Sequence, residues 1–433
     1  MEIHGIKSIK GEIKIPGDKS ISHRSLIISS IVDGSAVIEN FLFCEDCLKT
    51  LNILERLGVK IEKINGNLIV HGRGIENYNE PDDILYTGNS GTTIRIMSGV
   101  LSASNFMSVL SGDSSINNRP MGRIIKPLRE MGAKIYGREN NSKAPIVIFG
   151  NPSLEGKKIK LEVSSAQVKS AILLAGLHAK GVTEIISPGV SRDHTERMLE
   201  YFGANIIYKG EYIKLIPGRK LVARRVFIPG DISSAAYFIV ATLILKNSHT
   251  LIKDAGINPT RSYIIDLLRK MGGKIIVKNK RIINNEPMAD IETFSSRLKS
   301  IEVKKEEIPL IIDEIPALCV AASVAEGTTV IKGAEELRYK ESDRITSIVS
   351  QFKKLNVDIE EKHDGMIING NPEFRAGEGE VKSFGDHRIA LSLSILSLLS
   401  SGNVTILDSD CINVSFPGFE YSIKKLMYDK NSR

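Results

Sequence analysis

Six stretches of small and apolar residues recur along the chain, each ending at Gly or Asn and followed by a short β-branched segment. They read RSLIISSIVDGSAVI from Arg24, IRIMSGVLSASNFMSVL from Ile94, SAILLAGLHAKGVTEI from Ser170, AAYFIVATLILKNSHTLI from Ala235, ALCVAASVAEGTTVI from Ala317 and IALSLSILSLLSSGNVTI from Ile389. Their stops are Gly34, Asn105, Gly181, Asn247, Gly327 and Gly402. Gly and Asn suit the left-handed conformation that ends a helix, and Val, Thr and Ile favour strands, so each copy predicts helix, stop and strand. Successive stops lie 66 to 80 residues apart, which fills the 433 residues with six similar units. A second helix-to-strand junction follows in five of them: ERLGVKI at Gly58, REMGAKI at Gly132, EYFGANI at Gly203, RKMGGKI at Gly272 and KKLNVDI at Asn356. Each unit reads roughly strand, helix, strand, helix, strand, strand.

The two kinds of helix differ in polarity. The first kind is apolar nearly all round, as in Ala171 to Ala175 and Ile389 to Leu399, which predicts helices buried on every side and enclosed by sheets. The second kind carries Lys, Arg and Glu, as in Lys126 to Glu130 and Asp266 to Lys270, and is expected on the outside. The fold class is α/β, and the length suits two or three domains. Hydrophobic residues at 42% and charged residues at 25% describe a globular chain rather than a disordered one. The longest apolar run, near Ala235 to Leu245, falls short of the roughly 18 to 20 residues that span a bilayer, so no transmembrane helix is expected. With four cysteines and no secretory apolar stretch at the amino terminus, a reduced, cytoplasmic protein is expected. Cys44 and Cys47 form one CxxC without a second pair or a His at zinc spacing, so they are read as buried or idle thiols.

Dense polar clusters precede or open the buried helices. They are Asp18-Lys19-Ser20 with Arg24; Gly88 to Thr93, including Asn89 and Gly91, with Arg95; Ser164-Ser165 with Gln167 and Lys169; Gly230 to Ser234; Asp313-Glu314; and Gly385 to Arg388. Helix amino termini present unpaired N–H groups and a positive dipole end, so several facing one cleft would trap anions. Ser, Thr, Asn and Asp there also serve as simple N-caps, but capping does not account for Lys19, Arg24, Arg95 and Arg388, which the dipole opposes. Asn118 to Arg123 puts guanidinium groups at a Pro-bounded turn, suited to phosphate or carboxylate. Arg338 to Arg344 packs three cations and two carboxylates into seven residues, either a site or a solvated charged face.

The net charge of +7 suits an anionic partner without naming one, and a lysine-rich solvated surface produces it equally. Nucleotide motifs fail: GEIKIPGDKS from Gly11 has the wrong spacing for a phosphate loop, and Gly72-Arg73-Gly74 lacks a third glycine. Aromatic residues are only 6% and Trp is absent, which disfavours a nucleic-acid reader. No Asp/His grouping has metal spacing, and no cofactor is expected.

With those residues in view, the chain resembles the 5-enolpyruvylshikimate-3-phosphate synthase family from about Ile3 to Leu426. The resemblance rests on PGDKSISHRSL (Pro16 to Leu26), GNSGTTIR (Gly88 to Arg95), NRPMGR (Asn118 to Arg123), SSAQVKSA (Ser164 to Ala171), SRDHTE (Ser191 to Glu196), DEIP (Asp313 to Pro316), KESDR (Lys340 to Arg344) and GDHR (Gly385 to Arg388). SSAQVKSA and DEIP look like the bacterial class II form. The resemblance implies an inside-out α/β barrel fold in two domains of three βαβαββ repeats, residues 16–228 and residues 1–15 plus 229–433, with the active site in the interdomain cleft. It implies transfer of the carboxyvinyl group of phosphoenolpyruvate to the 5-hydroxyl of shikimate 3-phosphate, with release of phosphate, in aromatic amino-acid biosynthesis. By the same carry-over, Lys19, Ser20, Arg24, Ser164, Ser165, Gln167, Ser191, Asp313 and Lys340 are expected to hold shikimate 3-phosphate. Lys19, Asn89, Gly91, Arg119, Gln167, Arg344 and Arg388 are expected to hold phosphoenolpyruvate. Asp313 resembles the base that takes the 5-hydroxyl proton, and Glu341 or Lys19 the acid that protonates C3. A monomer acting on small molecules, with no nucleic-acid or membrane partner, is expected, as is sensitivity to glyphosate.

Two positions depart from the family pattern: Val414 stands where many members carry Lys, and Arg192 follows Ser191 where some have Tyr. The sibling transferase acting on UDP-N-acetylglucosamine is the nearest alternative, but Ser111 to Arg123 lacks the Cys it carries there, and Ser20 replaces its Asn. An RNA 3′-phosphate cyclase of related repeats would need a nucleophilic His, and nothing marks His387 as one.

Overall fold

The computed structural model describes residues 1–427. It is mixed α/β, with six separate open sheets around two groups of buried helices. The buried helices are α1 (Lys19–Ile31), α2 (Gly91–Ser102), α3 (Ala166–Gly176), α4 (Ile232–Ile244), α5 (Ile315–Ser323) and α6 (His387–Ser397). In α2, α4, α5 and α6 nearly every side chain is buried, polar ones included, because neighbouring buried helices and the sheets together cover their faces. Side-chain caps start five of the six: Asp18 accepts from Ile21 N, Ser90 from Thr93 N, Ser165 from Val168 N, Asp231 from Ser233 N and Asp386 from Arg388 N. The outer helices, such as Glu45–Arg56 and Tyr263–Lys270, bury one stripe and expose their charges.

All five second-junction residues have positive φ, from 67° at Asn356 to 99° at Gly203, and a strand begins two residues after each. Four of the six first stops do likewise: Gly34, Gly181, Asn247 and Gly327. Asn105 and Gly402 do not take the left-handed conformation expected of them. There the helices end instead through tight three-residue bonds, Ala103 N to Val100 O and Ser104 N to Leu101 O in one, Leu399 N to Leu396 O and Ser400 N to Ser397 O in the other.

The chain divides into two compact units. The first is Gly17–Ile228 with Ile283–Glu286, and the second is Met1–Pro16, Pro229–Ile282 and the chain from Pro287 onward. In the first unit, strands Met107–Ser111, Lys143–Phe149 and Lys134–Gly137 form an antiparallel core, and Leu85–Tyr86 adds a parallel edge. The same order recurs with Lys158–Lys160, Thr183–Ile186, Tyr212–Ile216 and Asn205–Lys209. Two edge strands come from far along the chain. Arg225–Phe227 pairs with Gly34–Glu39, Val226 opposite Ile38, and Lys10–Lys14 pairs with His249–Gly256, Ile13 opposite Ile252. The second unit thus takes an edge strand from the amino terminus, whereas Arg225–Phe227 belongs to the first unit's own continuous stretch. The last sheet has three strands, Gly379–Lys382, Asn403–Leu407 and, antiparallel, Glu2–His4.

Among the described residues, no helix is long and apolar enough to cross a membrane, and no group of three or more His, Cys, Asp or Glu is arranged to hold a metal ion.

Candidate active site

In the first unit, cationic side chains gather at the start of α2. Ser90 caps the helix, so Gly91 is its first residue. A methyl group built on Gly91 would lie 2.9 Å from Nη1 of Arg95 and 3.2 Å from Nη1 of Arg119. The residue before Pro120 is held extended, and this puts Arg119 between a short helix, Ser114–Asn118, and the helix from Gly122. Its guanidinium donates to Asn89 Oδ1 at 2.6 Å and to Ser115 Oγ at 3.2 Å. Arg95 donates to Gln167 Oε1 at 2.6 Å, and Gln167 Nε2 donates to Thr92 Oγ1 at 3.1 Å. Gln167, on α3, is thereby fixed against α2. Two guanidinium groups beside a side-chain-free helix start make a setting for a phosphate or carboxylate.

A second group in the same unit joins α1, α3 and the segment Ser191–Glu196. Arg24 donates to Thr195 Oγ1 at 2.6 Å, to Ser170 Oγ at 2.9 Å and to the carbonyl of Ser20 at 2.9 Å. Arg192 reaches Ser20 Oγ at 3.4 Å. Lys19 pairs with Asp46 at 3.0 Å, and its carbonyl lies 3.8 Å from the Cys47 thiol. Cys44 and Cys47 are both buried, and burial together with the neighbouring Cys44 pushes the Cys47 thiol well above its ordinary value. Ser164 and Ser165 lead into α3, where Ser165 is occupied as the cap. The Ser191 hydroxyl is buried and has no partner among the described residues.

The second unit carries the carboxylates. Arg344 opens the helix Arg344–Lys354 behind its cap, Asp343. Its guanidinium is 1% exposed and meets three acids: Asp386 at 2.8 Å, Glu341 at 2.6 Å and Asp313 at 3.3 Å. Burial alone would pull its pKa down, but Asp386, Glu341 and Asp313 together hold it above the ordinary arginine value. Arg388, at the start of α6, lies 3.8 Å from the other oxygen of Asp313, and its Nε has no partner among the described residues. Beside Asp313, Glu314 is buried against the Ser233 hydroxyl, with Arg261 at 3.8 Å. Lys340 is half-buried on the turn that carries Glu341.

Structure also divides the cluster from Arg338 to Arg344. Arg338 pairs with Asp343 at 2.8 Å and Glu361 at 2.9 Å and bonds two carbonyls of the strand hairpin, so it braces the fold. Glu341 and Arg344 point to the carboxylate group instead. Sequence reasoning missed Asp46, and it named Thr92 and Arg192 without their contacts to Gln167 and Ser20, because the partners lie 27, 75 and 172 residues away. Val414 lies partly buried at the end of the short helix Ser409–Val414 and presents no charge there.

A fold of this kind is shared with the enolpyruvyl transferase NikO from Streptomyces tendae, matched at a TM-score of 0.81 over 99% of this chain and 97% of that one, with 16% identity. At that identity the match shows the fold alone. A solved EPSP synthase from Acinetobacter baumannii is nearer, with a TM-score of 0.87, 44% identity, and coverage of 98% of this chain and 97% of that one. The 3-phosphoshikimate 1-carboxyvinyltransferase of Petrotoga mobilis is 51% identical over 429 residues, 98% of this chain and 99% of its own. Residues 3–423 match the profile of EPSP synthase (3-phosphoshikimate 1-carboxyvinyltransferase), and the chain belongs to that family.

Proposed function

We propose that this protein transfers the carboxyvinyl group of phosphoenolpyruvate to the 5-hydroxyl of shikimate 3-phosphate and releases inorganic phosphate. The observation that carries this is the family match, which runs through nearly all of the chain, 51% identical in one relative. The geometry of each unit supports roles for individual residues. Both substrates carry a phosphate and a carboxylate, so their binding calls for several cations.

In this reading Gly91 and Arg119, with Asn89 and Gln167, hold the phosphoenolpyruvate anion, and Lys19, Arg344 and Arg388 join them. Lys19, Ser20, Arg24, Ser164, Ser165, Gln167, Ser191, Asp313 and Lys340 hold shikimate 3-phosphate. The two sets serve one reaction. Asp313, 3.3 Å from Arg344 and 3.8 Å from Arg388, takes the 5-hydroxyl proton as that oxygen attacks C2 of phosphoenolpyruvate. Glu341 or Lys19 gives a proton to C3, and the tetrahedral adduct then expels phosphate as the proton returns from C3. Lys19 and Glu341 each touch an opposite charge, Asp46 at 3.0 Å and Arg344 at 2.6 Å. The enzyme acts on small molecules as a cytoplasmic monomer.

Phosphate release tests the assignment. The protein should liberate phosphate from phosphoenolpyruvate when shikimate 3-phosphate is present. Equal release with UDP-N-acetylglucosamine in its place would assign it to the sibling transferase.

A further inference from the structure

Every residue from Ser191 to Glu196 is tied to the rest of the first unit. Arg192 reaches Ser20, Asp193 pairs with Arg197 at 2.9 Å, His194 bonds Glu286 at 2.7 Å, and Thr195 accepts from Arg24. The two ends of the segment meet a single side chain. Lys169 Nζ lies 2.6 Å from Glu196 Oε1 and donates to the carbonyl of Ser191 at 3.3 Å. Both charged side chains are only 2% exposed. Lys169 is on α3, two residues beyond Gln167 and four beyond Ser165.

A buried ion pair is a poor device for stability. Its desolvation costs about as much as its attraction returns, and apolar residues of similar volume often replace it without loss. An apolar pair lacks one thing that Lys169 supplies, a donor to the Ser191 carbonyl. That donor fixes the backbone of a residue whose own hydroxyl is buried without a partner among the described residues. A buried hydroxyl without a protein partner is open to a hydrogen bond from a ligand.

We propose that Lys169, anchored by Glu196, is a positioning residue that sets the Ser191 hydroxyl for shikimate 3-phosphate. This rests on the function proposed above. Lys169 touches neither substrate; it acts through the carbonyl of Ser191.

The test is the paired replacement Lys169→Met with Glu196→Leu, which substitutes an apolar pair for the ionic one. Binding of shikimate 3-phosphate to the unaltered protein is measured first by calorimetry, and its absence would overturn the proposed function itself. Given that binding, the paired variant should melt near the parent temperature. It should raise the KM for shikimate 3-phosphate about tenfold, the worth of roughly one hydrogen bond. The KM for phosphoenolpyruvate and kcat at saturation should move less than about twofold, a split that loss of stability does not produce. Adding Ser191→Ala to the pair should raise the KM no further than Ser191→Ala alone, because both act through one hydroxyl. An unchanged KM for shikimate 3-phosphate, or fully additive effects, would overturn the proposal. Should the paired variant not fold, Glu196→Gln, which removes the charge that anchors Lys169, should still raise that KM selectively, and no change would again overturn it.

Discussion

Arg344 donates from Nε to Asp386 Oδ2 at 2.8 Å across 42 residues of sequence, with both side chains buried. The remaining guanidinium nitrogens reach Glu341 and Asp313, so one cation organises both carboxylates proposed to move protons. It is also the residue expected to meet phosphoenolpyruvate, which means that substrate binding and the placement of the acids share one group.

Removing that cation leaves three acids without their common partner. Arg344→Ala should lose about 3–5 kcal/mol of folding stability, the usual cost of breaking a buried pair from one side. Arg344→Lys keeps the charge but not the planar fork, and should fold better while binding phosphoenolpyruvate poorly. Urea titration and the KM for phosphoenolpyruvate measure the two effects. Equal stability of Arg344→Ala and the parent would contradict this role.

Asp313→Asn, which keeps an acceptor oxygen for shikimate 3-phosphate, should alter binding less than turnover, which should fall at least about a hundredfold, the lower end for a lost general base. Steady-state phosphate release with calorimetric binding separates the two quantities. Near-normal turnover would remove Asp313 as the base.

At Gly91 an added methyl meets Arg95 and Arg119 at 2.9 and 3.2 Å, closer than ordinary contact, so the guanidinium groups must give way. Gly91→Ala should weaken phosphoenolpyruvate by about 1–3 kcal/mol, the usual cost of overpacking, and leave shikimate 3-phosphate unaffected. It should also raise the glyphosate concentration needed for half inhibition. A parent inhibition curve flat into the millimolar range would count against glyphosate occupying this setting.

His23 is buried on α1, with Nδ1 2.7 Å from Thr50 Oγ1 and Thr50 2.8 Å from Thr93. Burial, aided by Lys19 and Arg24, holds its pKa well below the ordinary 6.5. The folded state therefore keeps His23 neutral while the unfolded chain takes up a proton, so stability falls as pH drops below 6.5. The slope from this one group approaches about 1.4 kcal/mol per pH unit. His23→Gln should flatten the loss between pH 7 and roughly pH 5 in urea titrations, and an unchanged slope would show that His23 is not the group responsible.

Much of the fold is written in local residue types. Gly58, Gly132, Gly203, Gly272 and Asn356 all take the positive φ their residue types permit, and the small and apolar helices are buried as expected, with their polar residues bonded inside. The return of residues 1–15 to the later unit was legible only through the family resemblance, not in residue types. Leu85–Tyr86 and Glu302–Val303 are two residues long, too short for any alternation, and Arg225–Phe227 finds its partner 188 positions back at Val37 to Glu39. At the candidate site the residue types of Lys19, Arg119, Arg344 and Arg388 could be read, but not their company. Only the folded chain distinguishes Arg338, spent on Asp343 and Glu361, from Arg344 six residues on, and only there do Lys19 and Arg344 meet acids that offset their charge. The net charge of +7 consequently says less about the site than it did alone.

The most direct measurement follows the carbon skeleton. Phosphoenolpyruvate labelled with carbon-13 at C2 is mixed with shikimate 3-phosphate and enzyme at high concentration, quenched at intervals and read by NMR. Carboxyvinyl transfer predicts that the label passes through a tetrahedral carbon bearing two oxygens and ends in an enol ether on the 5-oxygen, with one phosphate released per ether formed. Label that remains in phosphoenolpyruvate, or appears as pyruvate without any ether, would contradict it.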